Sequence, residues 1–229
     1  MNFKKHLIKF NDSSLPENFV SLAIKIDDKK EAEHAAILIR HKNIHYLHHH
    51  SLSSAILQEH FDTDKWYIYK ILDIIEVNDE NEVGAFLQHC KRVRLNSDMT
   101  YSFVTDGSSF DASSGRFQSK VGLPELGTCV SFCLNTITGA FSEIESYLNL
   151  DDWEPSSVSE EHPLYNLSNQ LTFSRYPQLE YSLVYNAYKK RISPLEYLCS
   201  AFFYDYPIKK EQIDSIIEDV KKAYTRKLQ

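Results

Sequence analysis

Apolar residues recur along this chain with two different periods. Residues 19–26 (FVSLAIKI) alternate and are rich in β-branched side chains, which predicts a strand. Residues 34–50 carry two apolar runs on either side of polar His41-Lys42-Asn43, which predicts a hairpin. Residues 53–61 (SSAILQEHF) read as a short serine-capped helix, and 66–75 (WYIYKILDII) as an aromatic, β-branched strand. The period changes over 78–95, where an acidic start precedes Val83, Phe86, Leu87 and Cys90 at helical spacing. Residues 101–120 are dense in Ser, Gly and Asp and predict an irregular loop with one short strand.

The helical period returns at Thr128, with apolar Val130, Phe132, Cys133, Leu134 and Ile137, and ends near Gly139. Beyond Trp153 it persists around 179–190, 193–205 and 209–224. Ser193-Pro194 and the lysines after Pro207 fit helix starts. The expected fold is therefore α+β, with about five mainly antiparallel strands packed on the helix that begins at Thr128. Residues 1–150 form the α+β domain, and residues 151–229 a helical extension packed on it as one structural unit. No internal repeat interrupts this order.

A length of 229 residues suits one large domain or one domain with such an extension. The net charge of −7 leaves no basic excess to displace counterions, which argues against general nucleic-acid binding. Lysines near the C-terminus are interleaved with acidic residues and read as a solvated helix face. No run approaches the roughly 18 apolar residues of a membrane span. The N-terminal MNFKKHLIKF has a basic start but no apolar signal core. Four cysteines make no dense disulfide framework, so a cytoplasmic protein with free thiols is expected.

Among those thiols, Cys90 and Cys199 fall on apolar helix faces and read as packing. Cys129 follows the turn GLPELGT and opens a helix. Unpaired N–H groups and aligned peptide dipoles at a helix start favour a thiolate, lowering the pKa to roughly 3.5–7.5 beside a cation. The same N–H groups can receive the oxyanion formed when sulfur attacks a carbonyl. Gly127 is expected to keep the approach side free of bulk. The plainer reading is that Thr128 caps the helix and Cys129 fills space. Cys133, one turn on, reads as packing; a metal site from Cys129, Cys133 and His48-His49-His50 matches no zinc-binding spacing.

A nucleophilic thiol needs a base. Of ten histidines, five lie between His41 and His50. His34 is the best placed, opening a strand and followed by small Ala35 and Ala36. The segment E-H-A-A-I-L-I followed by I-H-Y resembles the histidine strands of NlpC-type cysteine peptidases and amidases, and T-C-V-S-F resembles their cysteine helix. Here His34 precedes Cys129, the order of the circularly permuted members, including the lecithin retinol acyltransferase-like and bacterial YiiX-like groups. The run G-L-P-E-L-G-T-C-V-S-F also resembles the G-L-T-C-A-T-F-V signature of some bacterial proteins. The resemblance spans roughly residues 18–140. It departs from the family at Thr128, where Asp is usual, and at Ser131.

The resemblance implies a papain-like fold and a thiol hydrolase for amide, peptide or acyl bonds, or an acyltransferase. Cys129 would be the nucleophile, His34 the base and His45 the residue orienting it, with no cofactor. Family spacing favours His45, whereas strand arithmetic admits His49 or His50, since a one-residue slip changes the pairing. The competing expectation is a non-catalytic binding module of the same fold, its helical C-terminal part docking a protein partner.

Overall fold

The computed structural model describes every residue except 1, 11–13, 60, 62–67, 142, 156–157 and 229, and the side chain of residue 181. Strands β1 (Phe19–Ile26), β2 (Ala32–His41), β3 (Ile44–His50), β4 (Ala55–Gln58) and β5 (Ile68–Ile71) form one sheet in the order β4-β3-β2-β1-β5. Every neighbouring pair is antiparallel. The fold is α+β.

The β2–β3 turn is made by Lys42 and Asn43, both at positive φ (52° and 63°). Two successive left-handed residues match the twist of the flanking strands, and they set the register His41↔Ile44, Arg40↔His45, Ile37↔His48. Residues 53–61, expected as a helix, instead supply β4. Its pairing runs Leu47↔Gln58 to His50↔Ala55. Ser51 Oγ accepts from the N–H groups of Ser53 and Ser54, closing a tight turn that returns the chain along the open edge of β3. The ladder offered by that edge outweighs the local serine cap. Of the strand expected over 66–75, β5 covers four residues; Trp66 and Tyr67 lie outside the described residues.

Helix α1 (Phe3–His6) precedes the sheet, and α2 (Glu80–Asn96) follows it. Asp79 caps α2, accepting from the N–H groups of Asn81 and Glu82, and the helix buries Val83, Phe86, Leu87, Cys90 and Val93. The loop expected over 101–120 contains three two-residue strands rather than one: β6 (Thr100–Tyr101), β7 (Ser109–Phe110) and β8 (Phe117–Gln118). β9 (Leu126–Gly127) then leads into α3 (Cys129–Ala140). The remaining helices are α4 (Tyr165–Arg175), α5 (Tyr181–Ala187), α6 (Pro194–Ser200), α7 (Lys210–Asp214) and α8 (Ile217–Lys227). Helix α4 escapes the apolar pattern because its inward face is largely small and polar, burying Ser168 and Thr172 beside Tyr165.

The two sheet faces have different coverings. Val20, Leu22 and Ile24 of β1 and Ala35, Ile37 and Ile39 of β2 pack with Val130, Phe132, Cys133 and Ile137 of α3. The same core takes in Tyr197, Leu198 and Cys199 of α6 and Val220 and Tyr224 of α8, so it draws on both halves of the chain. Phe19, Ala23, Ala36, Leu38, Leu47 and Tyr69 form a separate cluster on the opposite face, against Ile8, Phe10, Leu15 and Phe61.

Helix α3 is held close to the loop strands at Gly139, where a Cβ would lie 1.8 Å from the Phe110 carbonyl oxygen. Backbone on both sides leaves no flexible atom to move aside. Gly139→Ala is therefore expected to destabilise the protein by at least about 2 kcal/mol in urea unfolding. A loss below about 0.5 kcal/mol would show that this contact yields.

Candidate functional site

The start of α3 is built by side-chain hydrogen bonds rather than by charge. Thr128 has extended backbone (φ −94°, ψ 179°) and its hydroxyl accepts from Ser131 N–H at 3.2 Å. Thr128 thus caps α3. Ser131 donates to the Val104 carbonyl at 3.0 Å and lies 2.8 Å from Thr105 Oγ1, which ties the helix start to the preceding loop.

Gly127 does not leave open space, as was expected. A Cβ there would meet Met99 Sδ and Ser131 Cβ, each at 2.9 Å. The glycine is needed because β6 runs parallel to β9, with Tyr101 beside Gly127 and Ser102 N–H donating to the Gly127 carbonyl at 3.0 Å. This pairing brings Tyr101 into electrostatic range of Cys129. Burial raises the Tyr101 hydroxyl, and the nearby thiol adds to this, so Tyr101 stays a hydrogen-bond donor at neutral pH. Nothing in its local sequence marked it, because a parallel pair 26 residues apart leaves no periodic trace.

Cys129 is the one cysteine with partial exposure; Cys90, Cys133 and Cys199 are buried. The backbone N–H groups of Ala35, Val130 and Cys129 itself favour its thiolate, but burial outweighs them and pushes the thiol up to about 11. The expected depression of the pKa is therefore corrected. N–H donors at a helix start stabilise the anion, yet without a facing cation they do not offset desolvation. Cys90 and Cys133 are raised well above the ordinary thiol value, also by burial.

Strand alternation divides the histidines between the two faces. The Nε2 of His34 lies 3.0 Å from Nδ1 of His49, with the rings at 89°. His34 shares its face with Ala36 and Leu38, opposite the face that carries Ala35, Ile37 and α3. The residue meeting His34 is thus His49; His45, expected there, is a correction. His45 pairs with Arg40, six residues along β2 from His34, and its ring packs on Phe10 and Phe19 at centroid distances of 4.6 and 6.4 Å. Of the two histidines that strand arithmetic admitted, His49 and not His50 meets His34; the two-residue turn sets Ile37 opposite His48, which puts His50 on the face of Ile37 and His49 on the face of His34.

His48 and His50 project to the α3 side, their rings 4.9 and 5.4 Å from that of Phe132. His48 is fully buried, with Nδ1 3.1 Å from the Ile56 carbonyl. Burial holds His34 and His48 down to about 3, and His45, His49 and His50 down to about 4. All five are neutral at pH 7 and can accept a proton only as charge is created beside them.

A groove of about 390 Å³, lined by Leu52, Met99, Thr100, Tyr101, Leu171 and Arg175 among others, runs past Tyr101 between the turn after β3 and helix α4. Among the described residues, no group of three or more His, Cys, Asp or Glu could hold a metal ion. No described helix is long and apolar enough to cross a membrane. Comparison of the chain with protein-family models, with curated proteins and with solved structures returns no match.

The buried histidines make stability depend on pH. Each has a folded pKa below the unfolded value near 6.5, so the unfolded chain binds the extra proton. Stability is intact above pH 6.5 and falls as the pH drops towards 3 for His48 and 4 for His50. Each of these two, exposed by 0% and 2%, is expected to cost up to about 1.4 kcal/mol per pH unit below 6.5. Unfolding free energies between pH 7 and 4.5 check this: His48→Leu should flatten the acid slope, and an unchanged slope would contradict the burial of a neutral His48.

Proposed function

We propose that the protein is a thiol hydrolase of circularly permuted, papain-like type, cleaving an amide, peptide or acyl bond with Cys129 as nucleophile. The observation that carries this reading is the convergence of backbone N–H groups from two elements, Ala35 of β2 and Val130 of α3, on the sulfur of a partly exposed cysteine at a helix start. An antiparallel sheet packed on the thiol-bearing helix, with the histidine strands ahead of the cysteine, agrees with the permuted order.

The chemistry follows from the two neutral groups. With the thiol near 11, only about one part in 10⁴ is thiolate at pH 7, so a preformed thiolate–imidazolium pair is not the resting state. A histidine of the β2–β3 hairpin takes the thiol proton as sulfur attacks the carbonyl carbon. N–H groups at the α3 start receive the developing oxyanion. The leaving amine or alcohol regains the proton, and water, or a second acceptor in acyl transfer, then resolves the thioester.

The raised thiol favours a second reading, in which the fold is retained as a binding module and Cys129 only packs. Alkylation of the native protein with iodoacetamide from pH 6.5 to 9, mapped by mass spectrometry, separates the two. The hydrolase reading expects Cys129 to be modified before Cys90, Cys133 and Cys199. It also expects stoichiometric acylation by an activated ester, lost in Cys129→Ala. Cys129 inert while the fold is intact, or Cys90 or Cys133 reacting first, would leave the binding module standing.

A further inference from the structure

Five histidines lie on β2 and β3 within 16 residues of His34, but the sheet separates them, and only one face meets the thiol. Continuing the register from Ile37↔His48 by two residues sets His50 across from Ala35, the residue whose N–H favours the Cys129 thiolate. The His50 ring lies 5.4 Å from that of Phe132, three residues after Cys129 on the same helix. Its other flank is Met99, whose carbonyl favours the protonated imidazole. The Met99 sulfur in turn packs against Gly127, two residues before Cys129. His50 is therefore bracketed by the residues on either side of the thiol.

The ring is 2% exposed, yet neither nitrogen is within hydrogen-bond geometry of a partner; the Met99 carbonyl is the polar group nearby. A buried imidazole left this open is unusual in a residue that serves packing alone. His48, on the same face, directs Nδ1 to the Ile56 carbonyl. His34 and His49 engage each other on the far face.

We infer that His50 is the general base for Cys129, with the Met99 carbonyl positioning its ring. This rests on the thiol-nucleophile reading above and replaces the histidine that the family pattern assigns. One ring N–H turned to the Met99 carbonyl leaves the other nitrogen bare, as a neutral base requires. That nitrogen takes the Cys129 proton while the sulfur–carbon bond forms and the carbonyl π pair moves onto oxygen. The imidazolium returns the proton to the leaving nitrogen or oxygen as its bond to carbon breaks. Water, deprotonated by the same ring, then hydrolyses the thioester and restores the thiol.

The test is the iodoacetamide rate of Cys129 in the full chain from pH 5 to 9. His50→Gln is expected to lower the rate at pH 7 by about tenfold or more and to steepen its rise with pH, whereas His34→Gln stays within about twofold. The reverse pattern, His34→Gln slow and His50→Gln unchanged, overturns the assignment while the thiol reading survives. A wild-type Cys129 that does not react at all removes the thiol reading itself. Because His50 is buried, a measurement on the native histidine decides where the variant does not fold. Imidazole ¹H–¹³C spectra of wild type and Cys129→Ala are expected to differ at His50. A shift at His34 with His50 unmoved overturns the proposal.

Discussion

Lys42 and Asn43 hold positive φ at the tip of the β2–β3 hairpin, and this two-residue turn sets the pairing of both strands along their length. Because side chains alternate, a slip of one residue would exchange the contents of the two sheet faces. In the register observed, Ala35, Ile37, His48 and His50 face α3, whereas His34, Ala36, His45 and His49 face the other way. The small side chain of Ala35 lets the start of α3 come close enough for a strand N–H to reach the Cys129 sulfur. The character of the site thus rests on a turn remote from it in space.

Two opposing effects act on that sulfur, and their balance decides its resting state. Backbone N–H groups and the helix start favour the anion, but the benefit of a helix terminus is typically 0.3–1 kcal/mol and reaches about 2 only in favourable geometry. Desolvation of a buried thiolate is larger, and among the described residues no cation acts on it, since the hairpin histidines are themselves held neutral by burial. The same cause, burial, therefore keeps the thiol and the hairpin histidines uncharged. In the proposed hydrolase, proton transfer would accompany the attack of sulfur, with charge appearing on both groups together.

The burial that quiets the histidines links site and stability. His48 and His50 fill space beside Phe132 within the sheet–helix interface, so protonating them places charge in the layer that holds α3 against β2 and β3. The base proposed for Cys129 is in this way also part of the packing around α3.

Much of the secondary structure was legible in local pattern: β1, the hairpin, α2 with its acidic start, and α3 opening at Thr128 all follow from spacing and end signals. Cys129 stood out because a thiol at a helix start is a local feature. Other parts were not legible. The segment Ala55–Gln58 became a strand because β3 offered an unpaired edge, and α4 went unseen because its buried face is small and polar. Tyr101 reaches the site through a parallel pair with a residue 26 positions away. The sequence by itself determined which chemical groups are present and which helix start carries the thiol, since periodicity and capping act over a few residues. Only the tertiary structure decided which histidines share its face and that its pKa rises, because register and desolvation belong to the assembled sheet and helix.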